Sequence, residues 1–319
     1  MKSTMLKQCT AQFRVSHKRL LAMALPLFGL VTSPLAAAID TSAYYEFSKK
    51  PVSLILVNKQ KSQLHVAEYV DQKIELVKTL HVTLGKAQGD KQVEKDLKTP
   101  EGFYFFTQKF LPPTIKKKLG AMAIMVNYPN PVDQLQGKTG YDIMLHATDD
   151  PSRLVRDRDS EGCLVVNNDE ILQLEKSIRA GVTPVLIYDQ LDDTVLKNPI
   201  DPLAKTAFER WLAAWNEKNI DDYIGSYRPD FSYSGMNLKR YREHKLSLNK
   251  KYSEIKVRAA NLRFYKHPKY VVATFTQQYQ SKLRGGGRGF DSQGTKAVYL
   301  VKEGDAYRIA AESYSNLVE

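Results

Sequence analysis

Short apolar runs separated by polar turns dominate the chain up to about residue 190. Val52-Ser53-Leu54-Ile55-Leu56-Val57 predicts a strand, Asn58-Lys59-Gln60-Lys61 a turn, and residues 63–69 a second strand. Residues 74–84 continue the β pattern and end at Gly85-Lys86, and further strands are expected at 102–106, 141–145 and 183–188. One amphipathic helix is predicted over 168–180, with Asn167 or Asn168 as its cap and Gly181 as its stop. A mainly β unit with few helices follows.

Residues 189–202 are rich in Asp, Asn and Pro and read as a connection. Beyond them Leu203, Ala207, Trp211, Leu212 and Trp215 recur at helical spacing, and a shorter helix fits Ile220 to Tyr227. Alternating strands follow, among them 270–279 and 296–301, with Gly285-Gly286-Gly287-Arg288-Gly289 between them. That glycine cluster lacks the strand-to-helix setting of a phosphate loop, so it is expected to join a hairpin. Helices first and a sheet after them is an α+β order.

The first residues change the picture. Lys2, Lys7, Arg14, Lys18 and Arg19 carry no acidic neighbour, an apolar run spans 20–31, and Ala36-Ala37-Ala38 precede Ile39. Charged, apolar and small residues in that order predict a cleavable export signal over 1–38, and hence a periplasmic protein. Roughly 280 residues remain, enough for two domains. The expected organisation is signal 1–38, first domain 39–190, linker 191–202 and second domain 203–319.

Charge is divided unequally between these parts. Residues 39–200 hold 21 Lys and Arg against 22 Asp and Glu, a net of −1, whereas 201–319 hold 21 against 13, a net of +8. In an exported protein that asymmetry points to an anionic envelope polymer or to solubility. A protein partner for the second domain stays open, as does the oligomeric state. No base-stacking motif or recognition helix supports nucleic acid, and neither a cofactor nor a metal is expected.

Once Cys9 leaves with the signal, Cys163 is the single cysteine. It can form no internal disulfide and cannot alone ligate zinc, which leaves an inert buried thiol, an intermolecular bridge or a nucleophile. Its surroundings, Asp159-Ser160-Glu161-Gly162-Cys163-Leu164-Val165-Val166, favour the nucleophile, because a glycine before the thiol and a strand after it put sulfur on a tight turn near backbone N–H groups. His146 closes the strand predicted over 141–145, and the two suffice for a thiolate–imidazolium pair. His65 and His81 lie in strand patterns and read as structural. His244 and His267 follow Cys163 in papain-like order without a matching signature.

Leu84-Gly85-Lys86, Lys98-Thr99-Pro100-Glu101-Gly102-Phe103-Tyr104, His146 and Ser160-Glu161-Gly162-Cys163 together resemble the L,D-transpeptidase catalytic domain over about residues 50–190. Asn127-Tyr128-Pro129-Asn130 and the stretch Gln136 to Tyr141 are similar to the two-domain cell-shape L,D-carboxypeptidase branch. The resemblance implies a β-sandwich in which Cys163 attacks the bond between meso-diaminopimelate and D-Ala in peptidoglycan stem peptides. The thioester then passes to water or to an amine. It implies that His146 is the base, oriented by the Ala147 carbonyl, and that the N–H groups of Gly162 and Cys163 cradle the oxyanion.

This chain departs from the family pattern at Ala147, where glycine is usual, at Glu161, where histidine is common, and at Val165, where arginine is common. The missing arginine leaves Arg153, Arg156 and Arg158 as candidates to hold a stem carboxylate. Tyr128, Tyr141 and Ser160 complete the candidate substrate set, while Thr99-Pro100 reads as a shaping turn. Two rival functions remain, release of a wall-linked lipoprotein and non-catalytic wall binding.

Phe208, Trp211, Ala214, Trp215 and Asn216, then Asp221 and Tyr223, and the closing Tyr307-Arg308-Ile309-Ala310 with Glu312 resemble the cone-shaped nuclear-transport-factor-2-like fold. Its pocket catalyses in some members and only binds in others. No convergent acid–base set is visible, so a binding module is expected.

Overall fold

The protein, analysed as a computed structural model, is described over residues 41–317, so the expected export signal at 1–38 lies outside the described residues. An eight-stranded mixed sheet runs in the spatial order Leu164–Val165, Met144–His146, Ala123–Val126, Gly102–Phe110, Pro184–Tyr188, Val52–Asn58, Gln63–Val70, Lys73–His81. A second, five-stranded sheet is ordered Tyr45–Phe47, Tyr252–His267, Tyr270–Leu283, Ser292–Glu303, Ala306–Ser315. Helices Pro202–Asn216, Ile220–Gly225 and Leu238–Lys251 pack on that second sheet through Phe208, Trp211, Trp215, Tyr223 and Tyr241. The fold class is the expected one, a mainly β module followed by an α+β module.

The run Leu54-Ile55-Leu56-Val57 does not alternate with polar residues because both of its faces are covered. Ile55 and Val57 enter one core cluster, with Leu64, Tyr104, Phe106, Leu145 and Ile187. Leu54 and Leu56 point the other way, into a cluster shared with Tyr265, Tyr270, Val272, Ala297, Tyr299 and Ala311 of the second sheet. That sheet is covered twice as well, since Phe264, Val271, Ala273 and Phe275 turn toward the helices. The order is therefore helices, second sheet, first sheet, core of the first module. Period-2 side-chain alternation with apolar residues on both faces is the pattern of a sheet buried on two sides.

Two boundaries differ from the sequence reading. Tyr45–Phe47, assigned to the first domain, pairs in parallel with Tyr252–His267 and completes the second sheet. Residues 191–202 are no loose linker, because Asp192 caps a helix Asp193–Lys197 whose Val195 and Leu196 pack with Leu191 against the junction between the sheets. The apolar triplet was outnumbered locally by Asp, Asn and Pro. The helix predicted over 168–180 runs from Asn168 to Leu174 and tightens into a 3₁₀ turn, Glu175–Ser177; its Asn167–Glu170 capping box is in place. Leu238–Lys251 escaped sequence reading since Tyr241 is its one fully buried residue.

Polar bonds fix the register of this junction. The Tyr270 hydroxyl accepts from the Phe103 N–H at 2.9 Å and from the Asn130 side-chain amide at 3.0 Å, all three groups buried. Tyr188 donates its hydroxyl to the Lys266 carbonyl at 2.7 Å. Tyr270→Phe strands two buried donors while keeping the ring, so a loss of about 2 kcal/mol in unfolding free energy is expected from denaturant titration. A change below about 0.5 kcal/mol would show that the hydroxyl carries no such role.

Candidate active site

Cys163 sits between the short strands Arg158–Ser160 and Leu164–Val165, where the chain reverses at Gly162. Gly162 has φ +130, and a Cβ there would lie 2.7 Å from the Lys98 carbonyl oxygen, so only glycine fits. Leu164–Val165 pairs in parallel with Met144–His146, with Val165 level with His146, and the Val166 N–H donates to the His146 carbonyl at 3.0 Å. Continued one residue beyond the strand, the same register sets Cys163 level with Met144, on the side of the sheet that His146 shares.

The imidazole is held by its own neighbour. His146 Nδ1 donates to the Ala147 carbonyl at 2.5 Å, which leaves Nε2 as the acceptor. Alanine serves where glycine is usual because Gly120, at φ +66, leaves room: a Cβ on Gly120 would be 2.7 Å from the Ala147 methyl. Burial lowers the His146 pKa to about 4, with Arg153 and Lys118 pushing the same way against the Ala147 hydrogen bond. Burial likewise raises the Cys163 thiol, aided by Asp142 and Glu161 and opposed by a backbone hydrogen bond from Met144. Burial thus acts against both charged forms of the expected thiolate–imidazolium pair.

Sulfur bonds elsewhere at rest. Cys163 Sγ donates to the Asp142 carbonyl at 3.5 Å, and Asp142 itself holds φ +60. This residue was missed, and an Asp ahead of an apolar triplet gives no signal of its left-handed turn. It also ends the strand predicted over 141–145, which forms only from Met144.

The oxyanion expectation needs correction. The Gly162 N–H is committed to Ser160 Oγ at 3.1 Å, and Ser160 donates in turn to the Cys163 carbonyl at 2.7 Å. Ser160 is thus a buried brace of the turn rather than a substrate contact. Of the two donors expected at the oxyanion, the one left is the Cys163 N–H.

The candidate substrate residues do not converge as a set. Arg153 binds Asp159 through Nε at 3.0 Å, and Arg156 reaches the same carboxylate at 3.4 Å with most of its side chain exposed. Arg158 turns away, toward the Gly85 and Lys59 carbonyls, and lines a separate polar cleft with Asp90, Glu101 and Asp189. Tyr128 is buried and packs on Tyr104, its hydroxyl donating to the Thr139 carbonyl at 3.3 Å. Tyr141 is 68% exposed. Thr99 shapes the fold as expected, since its Oγ1 accepts from the Gly85 N–H at 2.9 Å.

The remaining histidines have other partners. His65 bonds Thr79 at 2.8 Å, and His81 lies 3.9 Å from the Asp157 carboxylate. His267 is buried against Tyr188, donates to the Ile187 carbonyl at 3.1 Å and accepts from the Lys269 N–H. His244 lies on the exposed side of Leu238–Lys251. Among the described residues no cluster of three or more His, Cys, Asp or Glu is placed to hold a metal.

In the second module the structure does bring acid and base together, contrary to the sequence reading. Lys296 Nζ meets Glu312 at 2.5 Å, and Tyr227 donates to the same carboxylate at 2.5 Å. Lys245 Nζ stands 4.3 Å over the Trp215 ring. Tyr227 and Glu312 lie 85 positions apart, a separation that hid the group from pattern reading.

The L,D-transpeptidase catalytic-domain family matches residues 53–187, and the Cds6 C-terminal NTF2-like domain family matches residues 204–313. Among solved structures, Bd1075 of Bdellovibrio bacteriovorus is similar at 31% identity, covering 88% of this chain and 96% of that one, with a TM-score of 0.67. The helical cell shape determining protein Pgp2 of Campylobacter jejuni is similar at 21% identity, covering 86% and 96%, with a TM-score of 0.66, a likeness that concerns the fold. No curated protein matches the chain.

A neutral resting pair has a measurable signature. Alkylation of Cys163 by iodoacetamide should be slow at neutral pH and should still be accelerating above the ordinary thiol value of about 8.5. His146→Ala should slow it further at neutral pH, and His244→Ala should not. A fast plateau below neutrality would show instead that the resting pair is ionic.

Proposed function

The chain belongs to the L,D-transpeptidase catalytic-domain family, with an NTF2-like domain behind that module, and from this premise we propose that it is a periplasmic cysteine L,D-carboxypeptidase. Peptidoglycan is the substrate that the family implies. On this reading the enzyme cleaves the bond between the L-centre of meso-diaminopimelate and D-Ala, shortening tetrapeptide stems to tripeptides. The observation that carries it is the His146 imidazole, fixed through Nδ1 on the Ala147 carbonyl with Nε2 free to accept, on the face shared with Cys163.

The proposed reaction starts with sulfur leaving the Asp142 carbonyl. As Sγ attacks the scissile carbonyl, Nε2 takes the thiol proton, so charge appears on sulfur only while it is consumed. The tetrahedral oxyanion forms beside the Cys163 N–H. Its collapse breaks the C–N bond, and the imidazolium returns the proton to the amine of the departing D-Ala. The thioester is then attacked by water, whose proton His146 accepts, and a second collapse restores the thiol and releases the tripeptide stem. An imidazole with pKa about 4 is a free base throughout neutrality. The acid limb of kcat/KM therefore belongs near pH 4, with activity present above it and lost below.

Supporting the reading is the two-module architecture shared along 96% of Bd1075. A role in cell shape is proposed by likeness to Pgp2. Export through the segment 1–38 belongs to the same proposal.

Incubating the protein with purified tetrapeptide muropeptides, and reading products by mass, tests it. Tripeptide and free D-Ala are expected, and Cys163→Ala should lower turnover by at least about 10³-fold while leaving the melting temperature nearly unchanged. Cross-linked dimers would reassign the acceptor to an amine, and release of a wall-linked lipoprotein alone would reassign the substrate. Turnover by folded Cys163→Ala would sink the thiol mechanism.

The excess positive charge of residues 201–319 is proposed to hold the enzyme on an anionic wall polymer. Lys250, Lys251 and Lys256 are exposed near the end of Leu238–Lys251 and the start of Tyr252–His267. Because Tyr45–Phe47 completes the second sheet, the experiment needs the whole chain. Sacculus binding should weaken steeply as salt rises to physiological levels, where the screening length is about 8 Å, and again when the three lysines become glutamates. Hydrolysis of a small soluble stem peptide should be untouched. Binding indifferent to both changes would leave the charge without a targeting role.

A further inference from the structure

The turn at Pro268-Lys269, between the strands Tyr252–His267 and Tyr270–Leu283, reaches out of the second module into the first. Lys269 Nζ bonds Asp90 Oδ2 at 2.6 Å and the Glu101 carbonyl at 2.7 Å. Asp90 is a hub, since its Oδ1 accepts from the Glu101 N–H at 2.8 Å and its Oδ2 also meets Lys138 Nζ at 2.7 Å. Lys138 in turn pairs with Asp133 at 2.8 Å, buried. The next residue of the hairpin, Tyr270, holds the side chain of Asn130, which caps the helix Pro131–Leu135 containing Asp133. Two residues of the second module thus grip two loops of the first, 86–101 and 127–143.

Those loops are the walls of the thiol turn. From one side the Lys98 carbonyl presses on Gly162, at a distance that admits no Cβ. From the other, the Asp142 carbonyl receives the Cys163 thiol. The loops are also tied to each other, with the Thr139 N–H on the Gln92 carbonyl at 3.0 Å and the Glu94 N–H on Thr139 Oγ1 at 3.1 Å.

We infer that the Pro268-Lys269 turn of the second module is a positioning element of the active site, which sets the two loops between which Cys163 lies through Asp90 and Asn130. Lys269 touches neither substrate nor thiol. Its ammonium neutralises a carboxylate shared with Lys138, and the shared carboxylate keeps loop 86–101 at a fixed distance from loop 127–143. A second module attached only for wall binding would need no such contact. The inference rests on the proposed acyl transfer for its kinetic arm and is independent of it for its chemical arm.

The test compares the whole protein with Lys269→Met, which keeps the length and removes the charge, and Lys269→Arg, which restores the charge. The expected result is a fall in kcat of about tenfold or more for D-Ala release by Lys269→Met, with KM within about twofold, because misplacement of reacting groups is costly while binding contacts persist. Alkylation of Cys163, followed by mass on its peptide, should change in rate by about threefold or more in the same variant, and Lys269→Arg should recover most of both. Should Lys269→Met not fold by circular dichroism, Tyr270→Phe carries the same readouts through Asn130. A folded Lys269→Met or Tyr270→Phe protein with unchanged kcat and unchanged alkylation, whatever its melting temperature, would overturn the inference. Absence of D-Ala release by the unaltered protein would instead overturn the proposed function, and the alkylation arm would still decide this one.

Discussion

Everything else in the molecule depends on two sheets that pack face to face. Leu54, Leu56, Phe103, Leu186 and Tyr188 of the first meet Tyr265, Tyr270, Val272, Ala297, Tyr299 and Ala311 of the second in one buried cluster. A fully buried side chain of this size contributes about 1.5–3 kcal/mol, while a single hydrogen bond contributes about 1 kcal/mol net. Apolar area therefore holds the modules together. The polar bonds of Tyr188 and Tyr270 add less energy and settle which residue faces which, because buried donors and acceptors tolerate one alignment only. A fixed alignment is what allows the tip of a hairpin in one module to reach the loops around a thiol in the other.

The same demand for burial bears on the thiol and the imidazole. An exposed pair can exchange a proton and remain ionic, as the hydration of each charge is largely kept. Here desolvation lowers the imidazole and raises the thiol, so it favours the neutral form of each. One hydrogen bond from the His146 ring to a carbonyl does not reverse this, yet it fixes the tautomer. On the proposed function, the useful charge appears in the transition state, where a backbone N–H and the forming imidazolium are at hand.

Much of the site was legible because its causes are local. A glycine stands directly before the lone thiol, and a carbonyl directly beside the histidine that ends an apolar strand, and the structure keeps both relations. What was not legible depends on which partner each group takes, near or far along the chain. Arginines on one short loop looked like one set, but Arg153 found Asp159 and Arg158 found the carbonyls of Gly85 and Lys59. The Gly162 N–H looked available until Ser160, two residues before it, claimed it. Tyr45–Phe47 crosses some 200 residues to reach its sheet, and nothing in a three-residue strand announces its partner. Sequence pattern reports period and propensity; pairing at long range is set by the two-sided cluster, in which Leu54 and Ile55 look alike and face opposite ways.

Rigid packing also changes what the charge asymmetry can do. With a flexible linker, a basic module would raise the local concentration of wall polymer around the thiol without choosing among its stems. With Val195 and Leu196 of the connecting helix packed into the junction, the basic residues stand at a set distance and direction from Cys163. On the proposed function, a polymer held by the second module would then present only the stems that fall at that distance. Selection by geometry needs no specific contact beyond the stem itself, and it makes the pattern of trimming a property of how two sheets pack.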